Sequence, residues 1–373
     1  ACAIAIEEAD RKARVEADKQ SREAAERQRI AALEAARKAR EEAAERLRTA
    51  TLQTPGSSTS APQPTAAAPV RQAPFAAGAT ETGLYAQSVA IASALVIAGG
   101  TGGGLRLWDT SANQIRPLAA SHADAVAAVA VAADGQHFAS GAWDGEIRIW
   151  ETRSGALQHT IASPGPPVVA LGYRTPQRLV AMHTNGSWSI IEPIRGQLLM
   201  RSTATADRKV SAADVALDGR TVIVALADGA SPFSIEGWVP ANGGVTTVTS
   251  RLTGHLDWVY AVASSPDIRR VASASADGTV RLWDWAAARE LHRLSGHSSH
   301  VRALAFSRDG ALVAGAADDG RMIVWSTSTG AVTARIDGPG SIPRALAFSV
   351  DGRTLTAASE DGQIRQWTVP VQP

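Results

Sequence analysis

The chain has 373 residues, with 37 basic against 36 acidic side chains and one cysteine. This near-neutral balance gives no overall attraction to nucleic acid or to an anionic membrane, so no nucleic-acid partner is predicted. A lone cysteine excludes an intrachain disulfide and a cysteine-built zinc or iron–sulfur site. No apolar run reaches the roughly 18 residues that a membrane-spanning helix needs.

The first six residues, ACAIAI, are apolar and lead directly into charged sequence. They are interpreted as the end of a removed signal or of an absent transmembrane helix, as a lipid-bearing Cys2, or as a plain fragment boundary or helix start. We expect a cytoplasmic protein. The alternatives are a membrane tether through an absent upstream segment and a periplasmic or lipoprotein location.

Residues 1–50 are predicted to form a charged α-helical stalk. Between residues 5 and 50 there are 23 charged side chains and many alanines, without glycine or proline, which favours one long helix. Large apolar side chains are few, and Arg40 occupies the heptad position between Leu33 and Leu47. A sustained coiled coil is therefore disfavoured, and a solvated stalk is preferred to a partner-binding helix.

Residues 51–79 are rich in proline, alanine, serine and threonine. Repeated prolines deny this segment a continuous helix or a central strand, so it is predicted to be a flexible linker.

A tryptophan recurs every 42 residues in the rest of the chain. The tryptophans at this spacing are Trp108 and Trp150, then Trp283, Trp325 and Trp367. Each closes a short string, such as IRIW or VRLW, that alternates with the period of a β-strand. Two degenerate units, around Ile191 and Trp238, fill the gap between Trp150 and Trp283. Seven units then occupy residues 80–373.

Asp-Gly pairs mark turns within the units, for example Asp309-Gly310 and Asp319-Gly320 in the sixth unit. Asp-Gly is a strong signal for a two-residue hairpin, so each unit is predicted to be an antiparallel meander. One small sheet cannot bury both of its faces, whereas a ring of seven covers the faces and protects the edges. An all-β fold, a seven-bladed β-propeller, is predicted.

The units resemble WD40 repeats. The fifth unit carries the whole pattern, with Gly254-His255, Ser273, Asp277-Gly278 and Trp283-Asp284. The resemblance covers nearly four fifths of the chain and implies a bacterial-type seven-bladed WD40 β-propeller behind the charged helix. It also implies that the last unit, which stops at Pro373, borrows its fourth strand from about residues 70–77 and so protects an open edge.

In WD40 repeats, a histidine, a serine, an aspartate and a tryptophan form a buried hydrogen-bond network that holds the blade. The resemblance gives this structural role to His122, Ser140, Asp144 and Trp150 in the second unit, His255, Ser273, Asp277 and Trp283 in the fifth, His297, Asp319 and Trp325 in the sixth, and Asp361 and Trp367 in the seventh. Gly315 replaces the serine of the sixth unit. The first, third and fourth units lack the network in register, and we expect less rigid blades there.

No motif indicates a catalytic, cofactor-binding or metal-binding site. The run GGTGGG, residues 99–104, could cradle a phosphate, but a strand follows it where a helix would be needed, so a hairpin turn is preferred. The histidines lack the close spacing of metal ligands on one helix. Serine, histidine and aspartate in the blades resemble a catalytic triad in type only. No catalytic residue, cofactor or metal is predicted, and the chain is expected not to be an enzyme.

The resemblance places the first strand of each unit around the top of a central channel. The partner-binding residues expected there are Tyr85, Trp143, Lys209, Trp258, Tyr260, His300, Arg302 and Arg344. Aromatic and arginine side chains dominate interface energetics. The expected partner is a protein or peptide with an acidic or phosphorylated group held by Arg302 and Arg344. The alternative is that these are ordinary surface residues and that the interface is a side or bottom face.

The sequence therefore predicts a non-catalytic scaffold or sensor. Its resemblance to bacterial multidomain signalling chains suggests the regulatory or partner-binding part of a larger signalling or assembly system. The alternative is a propeller hydrolase or lyase with its site in the central channel, which would need converging carboxylates or a metal set there. The oligomeric state is not predicted.

Overall fold

A computed structural model describes residues 71–74 and 86–370, apart from short gaps at 162–164, 203–207, 217, 219, 228–232, 241–245 and 339–340. The chain divides into the units Ala1–Gln63 and Pro64–Pro373. The predicted stalk and most of the predicted linker lie outside the described residues, so both stay predictions. In the described part, no helix has the length and apolarity that crossing a bilayer requires.

The described part contains 28 strands. The first nine are β1 (Arg71–Pro74), β2 (Ala86–Ala92), β3 (Leu95–Gly100), β4 (Leu105–Asp109), β5 (Gln114–Pro117), β6 (Val126–Val131), β7 (His137–Ala142), β8 (Ile147–Glu151) and β9 (Leu157–Ile161). The next eight are β10 (Val168–Thr175), β11 (Arg178–His183), β12 (Trp188–Glu192), β13 (Gln197–Arg201), β14 (Val210–Val215), β15 (Val222–Leu226), β16 (Ile235–Pro240) and β17 (Thr246–Leu252). The last eleven are β18 (Val259–Ser264), β19 (Arg270–Ser275), β20 (Val280–Asp284), β21 (Arg289–Leu294), β22 (Val301–Phe306), β23 (Leu312–Ala317), β24 (Met322–Ser326), β25 (Val332–Ile336), β26 (Pro343–Phe348), β27 (Thr354–Ser359) and β28 (Gln363–Thr368).

These strands form seven antiparallel sheets of four strands each. Blade 1 is β2–β5, blade 2 is β6–β9 and blade 3 is β10–β13. Blade 4 is β14–β17, blade 5 is β18–β21 and blade 6 is β22–β25. Blade 7 consists of β26–β28 and β1. The first strands of the blades contact one another in a closed cycle, in which β26 of blade 7 meets β2 of blade 1. The predicted seven-bladed all-β propeller is therefore confirmed.

Blade 7 is completed by a strand from the other end of the chain. β1 pairs antiparallel with β28, with Arg71 opposite Gln366 and Pro74 opposite Gln363. This strand lies within the range predicted to close the ring. It covers the edge of β28, whose backbone donors and acceptors would otherwise face solvent.

The core lies between neighbouring blades. The third strand of each blade carries a tryptophan, or Ile191 in blade 3, that packs against the preceding blade. Trp325 of blade 6, for example, packs with Ala272, Leu282 and Leu294 of blade 5. A regular spacing of tryptophans thus supplies one large buried side chain for each junction of the ring.

The turns follow the glycines. Gly278, after Asp277, has a φ of +77°, a backbone conformation that favours glycine. Gly103, in the glycine run of blade 1, has a φ of +78° and donates its N–H to the carbonyl of Gly100 before β4 begins. That run is therefore a hairpin turn, as the sequence analysis preferred.

Candidate functional site

The polar network of blade 5 joins strands β19 and β20, the turn between them and the loop before β18 around one serine hydroxyl. His255 Nε2 lies 2.7 Å from Ser273 Oγ, and its Nδ1 lies 2.9 Å from Asp277 Oδ2. Trp283 Nε1 donates to the same serine oxygen at 2.8 Å. Burial alone would raise the pKa of Asp277, but hydrogen bonds from His255 and Thr279 hold it well below its usual value. The carboxylate therefore stays charged and fixed.

Blade 2 repeats this arrangement. His122 lies 2.8 Å from Ser140 Oγ and 3.2 Å from Asp144 Oδ2, and Trp150 Nε1 donates to Ser140 at 2.9 Å. Burial lowers the pKa of His122, and the charge of Asp144 opposes this shift only in part. The neutral imidazole therefore acts as a bridge between the hydroxyl and the carboxylate.

One group of side chains in blade 2 has metal-ligand geometry. Ligand atoms of His122, Asp144 and Glu146 lie within 4.8 Å of one another. Both ring nitrogens of His122 are already engaged, and Glu146 accepts two hydrogen bonds from Arg148. A metal would have to break the blade network to bind here, so the cluster is assigned to the fold.

In blade 6 the network is incomplete, because Gly315 stands where blades 2 and 5 have serine. His297 Nδ1 lies 3.6 Å from Asp319, and in the described part neither ring nitrogen of His297 forms a hydrogen bond. Trp325 Nε1 donates instead to the carbonyl of Ser295 at 3.4 Å. A Cβ on Gly315 would lie 3.0 Å from the Trp325 ring, so the indole fills the place of the missing serine.

Blade 7 keeps only fragments of the network. Asp361 Oδ1 accepts the backbone N–H of Gln363, and its other oxygen pairs with Arg365 at 2.8 Å. Trp367 is buried, and its Nε1 has no hydrogen-bond partner among the described residues. Of the predicted network members, those in blades 2 and 5 are joined by hydrogen bonds. In blade 6, His297 lies beside both Asp319 and the Trp325 ring without a hydrogen bond to either, and in blade 7 Asp361 and Trp367 have separate contacts.

Blade 4 replaces the network with a different buried cluster. Trp238 is in register with the blade tryptophans, and its Nε1 donates to Glu236 at 2.8 Å. Glu236 is fully buried and also pairs with Arg208 at 3.2 Å and Arg251 at 2.6 Å. Burial alone would raise the pKa of Glu236, but the hydrogen bonds and charges of these partners lower it. Sequence reasoning missed this cluster because no family pattern predicts it.

The upper rim of the channel exposes two large aromatic side chains. Trp143 is 56% exposed on the turn between β7 and β8, and Trp258 is 46% exposed immediately before β18. Leu256, in the same loop as Trp258, is 63% exposed. The sequence predicted both tryptophans at this rim but did not single out the leucine. Leu256 and Trp258 share one loop of blade 5, whereas Trp143 belongs to blade 2, so the top face exposes apolar side chains at two separate places. Exposed apolar side chains of this kind are typical of partner-binding surfaces.

The two rim arginines are already paired. Arg302 Nε and Nη2 donate to Asp318 at 2.8 to 3.1 Å, and its guanidinium lies 4.0 Å from the Tyr260 ring centroid. Arg344 pairs with Glu360 through Nε at 2.7 Å and through Nη2. Both arginines were predicted to be available to an anionic partner, whereas in the structure each is held by one of these two acids. An anionic ligand would have to displace them.

The other predicted rim residues are dispersed. His300 is half exposed and lies 3.4 Å from Asp318, beside the Tyr260 ring. Lys209 is exposed before β14. Tyr85 lies outside the described residues.

The strand register puts Gln87, not Tyr85, at the blade 1 position equivalent to Tyr260. The reason is local. The β2–β3 hairpin is two residues shorter than the matching hairpin of blade 2. Subtracting one repeat of 42 residues from the blade 2 position therefore gives Tyr85, two residues before the true equivalent, Gln87.

The central channel is a cavity of about 790 Å³, lined by the first strands of all seven blades. Its lining includes Tyr260, Arg302 and Arg344 near the top. Two carboxylates also line it. Asp124 precedes β6, whereas Asp214 is the penultimate residue of β14, so they lie towards opposite mouths. Neither aspartate belongs to a motif that would have indicated it from the sequence.

Comparison with known proteins agrees with this architecture. The family model described as "WD domain, G-beta repeat" matches residues 115–151, 246–284, 288–326 and 330–368. No curated protein sequence matches the chain. The four matched segments end at the third strands of blades 2, 5, 6 and 7, which are the blades that carry network residues. The chain is therefore a WD40-repeat protein with the fold of a seven-bladed β-propeller.

Proposed function

We propose that this propeller is a non-catalytic platform that binds a protein or peptide across its top face. The observation that carries the proposal is the exposure of Trp143 and Trp258 at the channel rim. Large aromatic side chains that lose most of their exposed area on binding are the usual anchors of an interface. WD40 propellers commonly act as protein-interaction scaffolds, which supports the same conclusion.

The blades that carry these tryptophans are the two with complete networks. Trp143 directly precedes Asp144, and Trp258 lies three residues after His255. Asp144 and Asp277 also accept backbone N–H groups of the loops beside them, from Ala123 and Leu256. Anchors on such fixed loops lose little conformational entropy on binding, which favours affinity.

We also propose that the partner carries an acidic or phosphorylated group, which binds Arg302 and Arg344 by displacing the acids that already pair with them. Such a group would replace Asp318 at Arg302 and Glu360 at Arg344, and so exchange one ion pair for another. Asp318→Asn would then weaken the internal pair and strengthen binding of an anionic partner. Weaker binding by Asp318→Asn would instead mean that the partner is basic, and would reject this part of the proposal.

The channel lining supports binding over catalysis. Hydrolases and lyases need groups that converge on one reacting centre. Within the described part of the channel, Asp124 and Asp214 are separated by six positions of the blade repeat, on the order of 20 Å of strand. A regulatory or signalling role within a larger system, and a cytoplasmic or membrane-tethered location, belong to the same proposal.

The test compares two double variants, each of which removes two exposed apolar side chains from a different face of the ring. Trp143→Ala/Trp258→Ala removes the rim anchors, whereas Leu198→Ala/Leu199→Ala removes two leucines, 45% and 43% exposed, from outer strand β13. Partners captured by the purified wild-type chain are quantified on both variants. We expect at least tenfold less partner on the tryptophan variant and an unchanged amount on the leucine variant. The reverse pattern would move the interface to the side of the ring.

A further inference from the structure

One blade of the channel departs from the repeat by carrying a charge. At the third position after the bulged residue of the first strand, the six other blades have alanine or glycine, and blade 4 has Asp214. The strand registers place these residues at one level of the first strands: Ala90, Ala130, Gly172, Asp214, Ala263, Ala305 and Ala347. Asp214 also lines the channel. Asp214 is thus the one acidic side chain of this level.

A second departure lies beside the first. At the following position, six blades have a large apolar or aromatic side chain, such as Phe306, Phe348 or Tyr173, whereas blade 5 has Ser264. Ser264 donates its N–H to Asp214 Oδ2 at 2.8 Å and its hydroxyl to the same oxygen at 2.5 Å. The two exceptional residues of adjacent blades therefore form one hydrogen-bonded unit, in which the small serine leaves room for the carboxylate of Asp214.

The carboxylate of Asp214 has no countercharge among the residues that the structure describes. In the described part of the chain it forms no ion pair, and both hydrogen bonds from Ser264 fall on Oδ2. Arg302 and Arg344 lie at the opposite mouth of the channel, where they pair with Asp318 and Glu360 and not with Asp214. Burial raises the pKa of Asp214, and the bonds from Ser264 offset this only in part. An ionised carboxylate in such surroundings is costly unless a cation joins it.

From this geometry, we propose that the channel binds a primary alkylammonium group, with the ammonium on Asp214 Oδ1 and the alkyl stem along the apolar channel wall. Val262, Leu304 and Leu346 line that wall. One carboxylate and one hydroxyl cannot supply the six or more oxygen ligands of a calcium ion or the octahedral shell of magnesium. A guanidinium prefers both oxygens of a carboxylate, and here Ser264 occupies one. A compact ammonium needs only the free oxygen.

The ammonium could come from a free amine or from a lysine side chain of a partner. The two sources differ in the bulk at the far end of the stem. n-Butylammonium represents the free amine, and Nα-acetyl-lysine methylamide represents the side chain of a peptide. n-Butanol has a similar stem and no charge, so it measures apolar binding alone.

The test follows the Asp214 carboxyl carbon by NMR in the full chain labelled at aspartate. We expect n-butylammonium to shift this resonance saturably and n-butanol to leave it in place. A lysine derivative that shifts it as well identifies a partner side chain as a source, and one that does not identifies a free amine. No saturable shift with either cation, or an equal shift with n-butanol, would overturn the proposal.

Two variants separate binding from folding. Asp214→Ala installs the residue that most other blades already carry, so the fold should persist, with higher thermal stability at pH 7. Calorimetric affinity for n-butylammonium should fall at least tenfold in Asp214→Ala and stay unchanged in Asp124→Asn, which removes the carboxylate near the opposite mouth. Unchanged affinity in Asp214→Ala would reject the site.

Discussion

Blades 4 and 5 are neighbours, and each has a tryptophan at the equivalent position of its third strand that is held by different hydrogen bonds. In blade 5, Trp283 donates to Ser273, which is tied to His255 and Asp277. In blade 4, Trp238 donates to the buried Glu236. Both indoles pack against the preceding blade. Packing between neighbouring sheets therefore fixes the tryptophan in both blades, and the polar partner of the indole differs between them. Trp367 of blade 7 packs in the same way, although its Nε1 has no partner among the described residues.

The two blades differ in whether their polar cluster also holds a loop of the top face. The network of blade 5 reaches the top loop through Asp277 and Leu256, next to the exposed Trp258. The cluster of blade 4 instead uses two arginines that are 30% and 48% exposed. The complete network therefore adds a fixed top loop to a stable blade, which is the property that a binding face needs.

The largest loss of stability should come from removing the buried tryptophan that both blades share. Trp283→Ala removes a buried side chain at a blade junction, and we expect a loss of about 3–5 kcal/mol in the free energy of unfolding. Trp258→Ala, in the same blade but exposed, should change stability by less than about 0.5 kcal/mol. Urea unfolding followed by tryptophan fluorescence and circular dichroism measures both. Equal losses would mean that Trp258 is part of the core and not of a binding surface.

The next effect tests the cluster of blade 4. Glu236→Ala leaves Trp238 Nε1 without an acceptor, and we expect a loss of about 1–3 kcal/mol. The arginines can turn to solvent, so the loss should stay below that of a fully buried ion pair. Glu236→Gln keeps an acceptor for the indole and should lose less. A glutamine variant as unstable as the alanine variant would show that charge, and not the hydrogen bond, holds this blade.

Sequence reasoning reached the fold because tryptophan spacing, Asp-Gly turns and strand alternation all report the same repeat. It also located the networks of blades 2 and 5, where all four residue types are present. It missed Glu236, because a buried acid is recognisable only when Arg208 and Arg251, distant in sequence, are seen beside it. It treated Arg302 and Arg344 as available because Asp318 and Glu360, 16 residues further on, gave no signal of their own.

A smaller effect separates a complete network from an incomplete one. His255→Phe should cost about 1–3 kcal/mol, because it leaves Ser273 and Asp277 without their partner. His297→Phe should cost less than His255→Phe, because the His297 ring forms no hydrogen bond within the described residues and lies 3.6 Å from Asp319. The two variants are compared by chemical unfolding at pH 7.5. A similar cost in both would mean that shape at this position matters more than hydrogen bonding.

The smallest effect is a dependence on pH. Burial lowers the pKa of His122, His183 and His297 below the usual value near 6.5. The folded state then favours neutral imidazoles, so their stabilisation is complete above pH 6.5 and is lost as the pH falls through their folded values. We expect a lower free energy of unfolding at pH 5 than at pH 7.5, and a shallower slope in His297→Phe. A flat profile between these pH values would contradict the assignment.

Site-specific photocrosslinking tests the binding face most directly. A photoreactive phenylalanine analogue replaces Trp258 at the rim in one variant and Leu198 on outer strand β13 in another, both in the full chain within its native cell. The account predicts a discrete crosslinked protein partner from position 258 and none from position 198. Crosslinks from position 198 alone would contradict a top-face platform and place recognition on the side of the ring.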